Sequence, residues 1–126
     1  MAGRGAGARR KGHQFERDIA NYLTDSTGFT WKRGLGQSRG GGGECADVEL
    51  EDSDYSEKAA GIHFELKRHK RCNIKGALRQ AMGDKRESDF PVIITKDDRE
   101  PVLVTMLMED WIDFFNAYLR DSSAEE

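Results

Sequence analysis

The chain predicts an α/β fold in which a mixed central β-sheet is flanked by helices, and three observations predict it. Runs that alternate apolar and polar residues with period two recur between stretches of helical periodicity. Their order along the chain reads α-β-β-β-α-β-β-α, with no internal repeat. At 126 residues there is length for one modest core and not for two independent domains. An apolar content of 37% against 34% charged residues suits a soluble, rather polar globule.

Residues 1–11 carry Arg4, Arg9, Arg10 and Lys11 among glycines, without one acidic residue, and read as a flexible basic arm. The first helix is expected over residues 13–25, with Phe15, Ile19, Tyr22 and Leu23 on one stripe. Residues 29–33 read as a short strand. The segment 34–43 is too rich in glycine for regular structure. Residues 46–51 alternate again, with Val48 and Leu50 on the core side. A polar turn at 52–58 is expected to join this strand to the next as an antiparallel hairpin. In that next strand, 61–67, Ile62, Phe64 and Leu66 share one face and His63, Glu65 and Lys67 the other.

Asn73 is a candidate N-cap for a helix over 74–87. Strands are expected at 90–95 and 102–107, about a turn at 97–101. The last helix, 109–120, places Met108, Trp111, Ile112, Phe115 and Leu119 on one face, and Phe114 and Tyr118 add aromatic surface beyond it. Residues 12–121 are thus read as a single domain, and 122–126 as an acidic tail. No apolar run is long enough to span a membrane, and the basic start lacks the apolar stretch of a secretory signal. Cys45 and Cys72 are accordingly expected as free thiols in a reducing, cytoplasmic setting. Together with His63 and His69 they do not supply four well-spaced zinc ligands.

The chemistry concentrates on Asp47, Glu65 and Lys67. On one strand Glu65 and Lys67 lie about 7 Å apart, from a rise of ~3.3 Å per residue. Asp47 faces Glu65 if the two strands are neighbours. Magnesium and manganese prefer hard oxygen donors, commonly one or two carboxylates completed by water and phosphate. A bound ion polarises a phosphoryl oxygen and acidifies its water, and an adjacent ammonium stabilises charge developing in the transition state. The set therefore suits hydrolysis of a phosphodiester. The net charge of −3 does not exclude nucleic acid, because the charge is segregated. Lys67, Arg68, Lys70, Arg71 and Lys75 cluster after the Glu65 strand, Arg33 and Arg39 flank the glycine segment, and the acids gather at 44–57 and in the tail.

Asp47 with Glu65-Leu66-Lys67 resembles the PD-(D/E)xK nuclease motif, with Ala46 where the motif has proline. The wider pattern is similar to Holliday-junction resolvases of archaeal and phage type. Gly12-His13-Gln14-Phe15-Glu16-Arg17 resembles their first helix, and Trp31-Lys32-Arg33 followed by Gly36-Gln37-Ser38-Arg39-Gly40 their strand and serine loop. The resemblance spans residues 12–96. It implies a restriction-endonuclease-like fold and Mg2+-dependent cleavage of branched or junction DNA by a homodimer, with Mn2+ substituting, in a chain that is intracellular and of phage type. It also implies a metal-holding role for Glu16 beside Asp47 and Glu65, a phosphate contact for Ser38, and an accessory place near Lys67 for Gln80. Two alternatives stand beside it: a nuclease of the same fold acting on nicked, flapped or single-stranded DNA, and a non-catalytic DNA-binding accessory protein.

Overall fold

The computed structural model describes residues 3–34, 46–51 and 61–124. Within them the elements follow the expected order: α1 (Gly3–Thr27), β1 (Trp31–Arg33), β2 (Val48–Leu50), β3 (Ile62–His69), α2 (Ile74–Asp84), β4 (Phe90–Asp97), β5 (Leu103–Met106) and α3 (Met108–Ala124). The strands form two sheets rather than one. β1 and β2 make an antiparallel pair, and β3, β4 and β5 make a mixed sheet in that order. β4 runs parallel to β3, with Glu65 opposite Ile93 and Lys67 opposite Thr95, and antiparallel to β5. The expected hairpin between 46–51 and 61–67 is therefore corrected. The ladder partner of β2 is β1, and that of β3 is β4; residues 46–51 meet the other edge of β3 at Asp47, whose N–H donates to Phe64 O, without continuing as a ladder. The polar turn at 52–58 lies outside the described residues, as does most of the glycine segment.

Each face of the three-stranded sheet is covered by a helix. On one face Phe64, Leu66, Val92 and Ile94 pack with Phe15, Ile19 and Ala20 of α1, and with Ala46 and Val48. Phe15 and Ile19 are four residues apart, so one helical stripe meets the sheet. Burying side chains of this size contributes roughly 1.5–3 kcal/mol each. Leu23 continues the stripe, whereas Tyr22, expected on it, falls at its edge and is exposed. Trp31 closes this core edge-on against Phe64, with ring centroids 5.7 Å apart. On the other face Ala77 and Ala81 of α2 bring that helix close over Ile93.

α1 begins well before its expected start. Residues 3–11, expected as a flexible arm, are helical. Ala, Arg and Lys are good helix formers, and a helix already anchored by Phe15 and Ile19 propagates without a new nucleation cost. Lys11 also reaches Asp98, 3.2 Å away. The helix ends at Gly28, whose φ of 78° is left-handed and whose N–H caps Thr24 O at 3.0 Å. Thr24 then turns the chain towards β1: its hydroxyl donates to Ala20 O and accepts from Trp31 N–H, both at 2.9 Å.

α3 is the least embedded element. Its described link to the sheet is the Phe114 ring against Phe90, 5.7 Å between centroids, while Trp111 stacks on Phe115 within the helix. Met108, Trp111, Ile112, Phe115 and Leu119 remain exposed.

At the start of α2 the expected cap is present. Asn73 Oδ1 accepts from Gly76 N–H at 2.9 Å. A Cβ on residue 76 would lie 2.6 Å from the Asn73 side chain, so glycine is required for this cap to close. Asn73→Ala should destabilise the fold by about 1 kcal/mol, measured by urea denaturation, with an unchanged m-value.

Candidate active site at the seam between the sheets

The two sheets meet at Asp47, just ahead of β2. Its N–H donates to Phe64 O (2.9 Å) and its carbonyl accepts from Gly34 N–H (2.8 Å), which ties the end of β1 to β3 through one residue. Its side chain is held as well, since Oδ2 accepts from Leu66 N–H at 2.7 Å. Phe64 and Leu66 are the two neighbours of Glu65, so the carboxylate of Asp47 is fixed beside that of Glu65. Glu65 is buried on the α2 face, and Lys67 Nζ lies 3.4 Å from its Oε2. Asp47, Glu65 and Lys67 are thus brought together from residues 18 to 20 positions apart in the chain.

The electrostatics of Asp47 follow from this placement. Burial, and then the negative charge of Glu65, push its carboxyl from 3.8 up to about 7; the Leu66 N–H and the Lys67 ammonium act in the opposite direction, and Glu16 adds to the rise. Two carboxylates sharing a partly buried seam with one ammonium are short of positive charge.

Glu16 is close enough to act on Asp47, but its own carboxylate is engaged by Arg33, with Arg33 Nε 3.0 Å from Glu16 Oε1. Two residues singled out for different tasks, one for metal and one for DNA, are therefore an ion pair between α1 and β1. Among the described residues, donor atoms of His63, Glu65 and Asp84 converge within 4.8 Å of one another, a set that shares Glu65 with the expected trio of Asp47, Glu65 and Glu16. Sequence reasoning missed Asp84 and set His63 aside with the zinc reading. His63 shares the alternating face of Glu65, and Asp84 follows Ala77 and Ala81 at helical spacing; that was the available signal.

The basic residues beyond β3 divide into two kinds. Arg68 is occupied internally: Nη1 meets Asp98 Oδ1 at 2.6 Å and the carbonyls of His69 and Lys96. Lys70, Arg71 and Lys75 are exposed, and Lys70 and Arg71 line an open cavity with Asp98 and Arg99. Gln80 is on the exposed side of α2. Ser38 and Arg39 lie outside the described residues, as does Cys45. The Cys72 thiol is pushed up by burial and donates to the carbonyls of Lys67 and Lys96, which makes it a packing residue and not a reactive thiolate.

The family model described as "Phage putative PDDEXK endonuclease" matches residues 7–124. The chain belongs to this family. Membership agrees with the two-faced mixed sheet and its flanking helices, an α/β fold of the restriction-endonuclease type. It also agrees with the Asp and Glu-x-Lys residues gathered at the seam, and endonucleases of the PDDEXK class typically use divalent metals. No curated protein and no solved structure matches the chain. Among the described residues no helix is long and apolar enough to cross a membrane.

The raised pKa of Asp47 sets a sign for the stability of the metal-free protein. Between about pH 4 and 7 the folded state keeps the Asp47 proton that the unfolded chain has released. This group's stabilising contribution is therefore complete below pH 4 and is lost as pH rises through 7. Asp47→Asn should lack that decline. Urea unfolding of both proteins in EDTA at pH 5 and pH 8 should show a wild-type loss larger than the variant's by a few kcal/mol, at about 1.4 kcal/mol per pKa unit.

Proposed function

We propose that the protein is a divalent-metal-dependent, structure-selective endodeoxyribonuclease that resolves Holliday junctions by paired phosphodiester hydrolysis. The observation that carries the nuclease part is the fixed triplet at the seam, Asp47 held by the Leu66 N–H beside Glu65, with Lys67 at 3.4 Å from the Glu65 carboxylate. Asp47 and Glu65 fit a hard divalent ion because they are adjacent carboxylates lacking sufficient positive charge, the arrangement that Mg2+ or Mn2+ neutralises best. When bound there, the ion supplies Lewis acidity towards a phosphoryl oxygen. Asp47 and Glu65 hold their carboxylates ready through main-chain bonds and burial. Lys67, half-exposed, offers its ammonium to charge that develops on the phosphate. Glu16, through Arg33, braces the seam from the α1 side. The exposed cations Lys70, Arg71 and Lys75 supply a phosphate track leading away from Lys67.

The junction reading adds a second copy of the chain. Two cuts at related positions need two sites, and the exposed apolar side chains of Val102, Val104, Trp111, Phe115 and Leu119 are the surface proposed for a two-fold contact. Phe114, the expected centre of that contact, rests on Phe90 of its own chain, so Trp111 and Leu119 are the better choice.

Asp47→Asn and Glu65→Ala should abolish cleavage while leaving DNA affinity equal or higher, since each removes negative charge facing phosphate. Lys67→Ala should reduce turnover at saturating DNA by about a hundredfold or more with a much smaller change in Kd. A panel of four-way junction, flap, nicked and linear duplex substrates, each assayed with Mg2+, with Mn2+ and with EDTA, measures both the chemistry and the preference.

Trp111→Glu should convert a dimer into monomers that nick junctions without resolving them, because a charge at an isologous contact is met twice. Sedimentation velocity with and without junction DNA checks this. A wild-type monomer in both conditions favours the alternative of nick- or flap-specific cleavage.

A further inference from the structure

Beneath α2 the sheet buries two polar side chains, Glu65 with Lys67 beside it and His63 without a hydrogen bond to its ring among the described residues. His63 and Glu65 are 2% and 5% exposed, on the face that also carries Ile93 under Ala77 and Ala81. The nearest described polar contact of the His63 ring is Nε2 to Glu65 Oε1 at 3.7 Å, too long for a hydrogen bond. Among the described residues no hydrogen bond reaches that ring. Polar groups removed from water without a partner cost free energy, so a buried imidazole aimed at a buried carboxylate calls for a third group between them.

The third group has a place. Asp84, the last residue of α2, follows Ala77 and Ala81 on the helix face that meets the sheet, and it is only half-buried. One donor atom from each of His63, Glu65 and Asp84 lies within 4.8 Å of the others. Two ligand atoms held about 2.1 Å from one ion are at most about 4.2 Å apart, so a small rotation of the Asp84 side chain closes the set.

We propose that His63, Glu65 and Asp84 bind a divalent transition ion of the zinc class, at a site distinct from the hard-ion site at Asp47. The imidazole decides the class. Nitrogen donors favour Zn2+, Co2+ or Ni2+ over Mg2+, which keeps to oxygen. One imidazole and two carboxylates leave a fourth position for water, and the partly exposed Asp84 provides the route in from solvent. The ion takes Glu65 from its Oε1 side, while Oε2 faces Lys67. It therefore clamps the end of α2 to β3 and fixes the carboxylate that the two sites share. The site shares Glu65 with the nuclease reading above but does not require that DNA be cut.

Co2+ is the probe, titrated into the metal-free full chain in the presence of saturating Mg2+ and followed by its visible absorption. One saturable, Zn2+-displaceable equivalent is expected. His63→Gln and Asp84→Asn should each weaken Co2+ binding by at least about tenfold, the lower end of what losing a supporting contact to a metal ligand costs. Asp47→Asn should abolish Mg2+-dependent cleavage and leave the Co2+ titration in place, which separates this site from the nuclease reading. Far-UV circular dichroism checks folding; Asp84 is half-exposed, so Asp84→Asn decides the matter if His63→Gln does not fold. The proposal is overturned if the wild type shows no saturable Co2+ signal. It is equally overturned if the signal persists in Asp84→Asn but disappears in Asp47→Asn, which assigns the ion to the other carboxylate pair.

Discussion

Among the described residues, the main-chain hydrogen bonds that join the two sheets run through Asp47. Asp47 gives its N–H to β3, its carbonyl to the residue after β1, and its carboxylate to the Leu66 N–H. A side chain whose main chain is held on both sides loses little further entropy when it is fixed, so the bond to Leu66 holds this carboxylate in place at small cost. The same bonds force a buried acid against Glu65. The seam is thus where the fold stores electrostatic strain, visible in the Asp47 carboxyl raised to about 7.

The rest of the molecule positions the seam. α1 packs through Phe15 and Ile19 on one face of β3 and β4, and α2 packs through two alanines on the other. The small alanines matter because they let α2 approach closely enough to seal Glu65 and His63 from water. Lys67 escapes that seal near the end of β3 and stays partly open to solvent. The gradient along one strand, from buried imidazole to buried carboxylate to half-exposed ammonium, follows from the helix covering only part of its length.

Much of this was readable from residue order. Alternation in 61–67 correctly divided Ile62, Phe64 and Leu66 from His63, Glu65 and Lys67, because a strand has no freedom in which side each residue takes. The Asn73 cap was readable because it depends on a contact three residues away. Other readings failed for a common reason. The hairpin between the Asp47 and Glu65 strands was inferred from proximity in the chain, but β2 forms its ladder with β1, and β4 takes the ladder along β3. Residues 3–11 were read by their glycine content, while their helix is an extension of one anchored further on. Tyr22 was placed by periodicity on the stripe, but the core takes Leu23 beside it and leaves Tyr22 exposed.

The sequence by itself determined the order of elements, the face on which each strand residue lies, and the residue types able to hold a hard cation, since these depend on local geometry and on functional-group chemistry. Only the tertiary structure decided which charges are neighbours. It paired Glu16 with Arg33, gave Arg68 to Asp98, and brought Asp84 from the far end of α2 to His63 and Glu65. Contacts between residues distant in the chain arise from the packing of whole helices and strands. No pattern along the sequence encodes the distance between two side chains that meet only because two such surfaces close on each other.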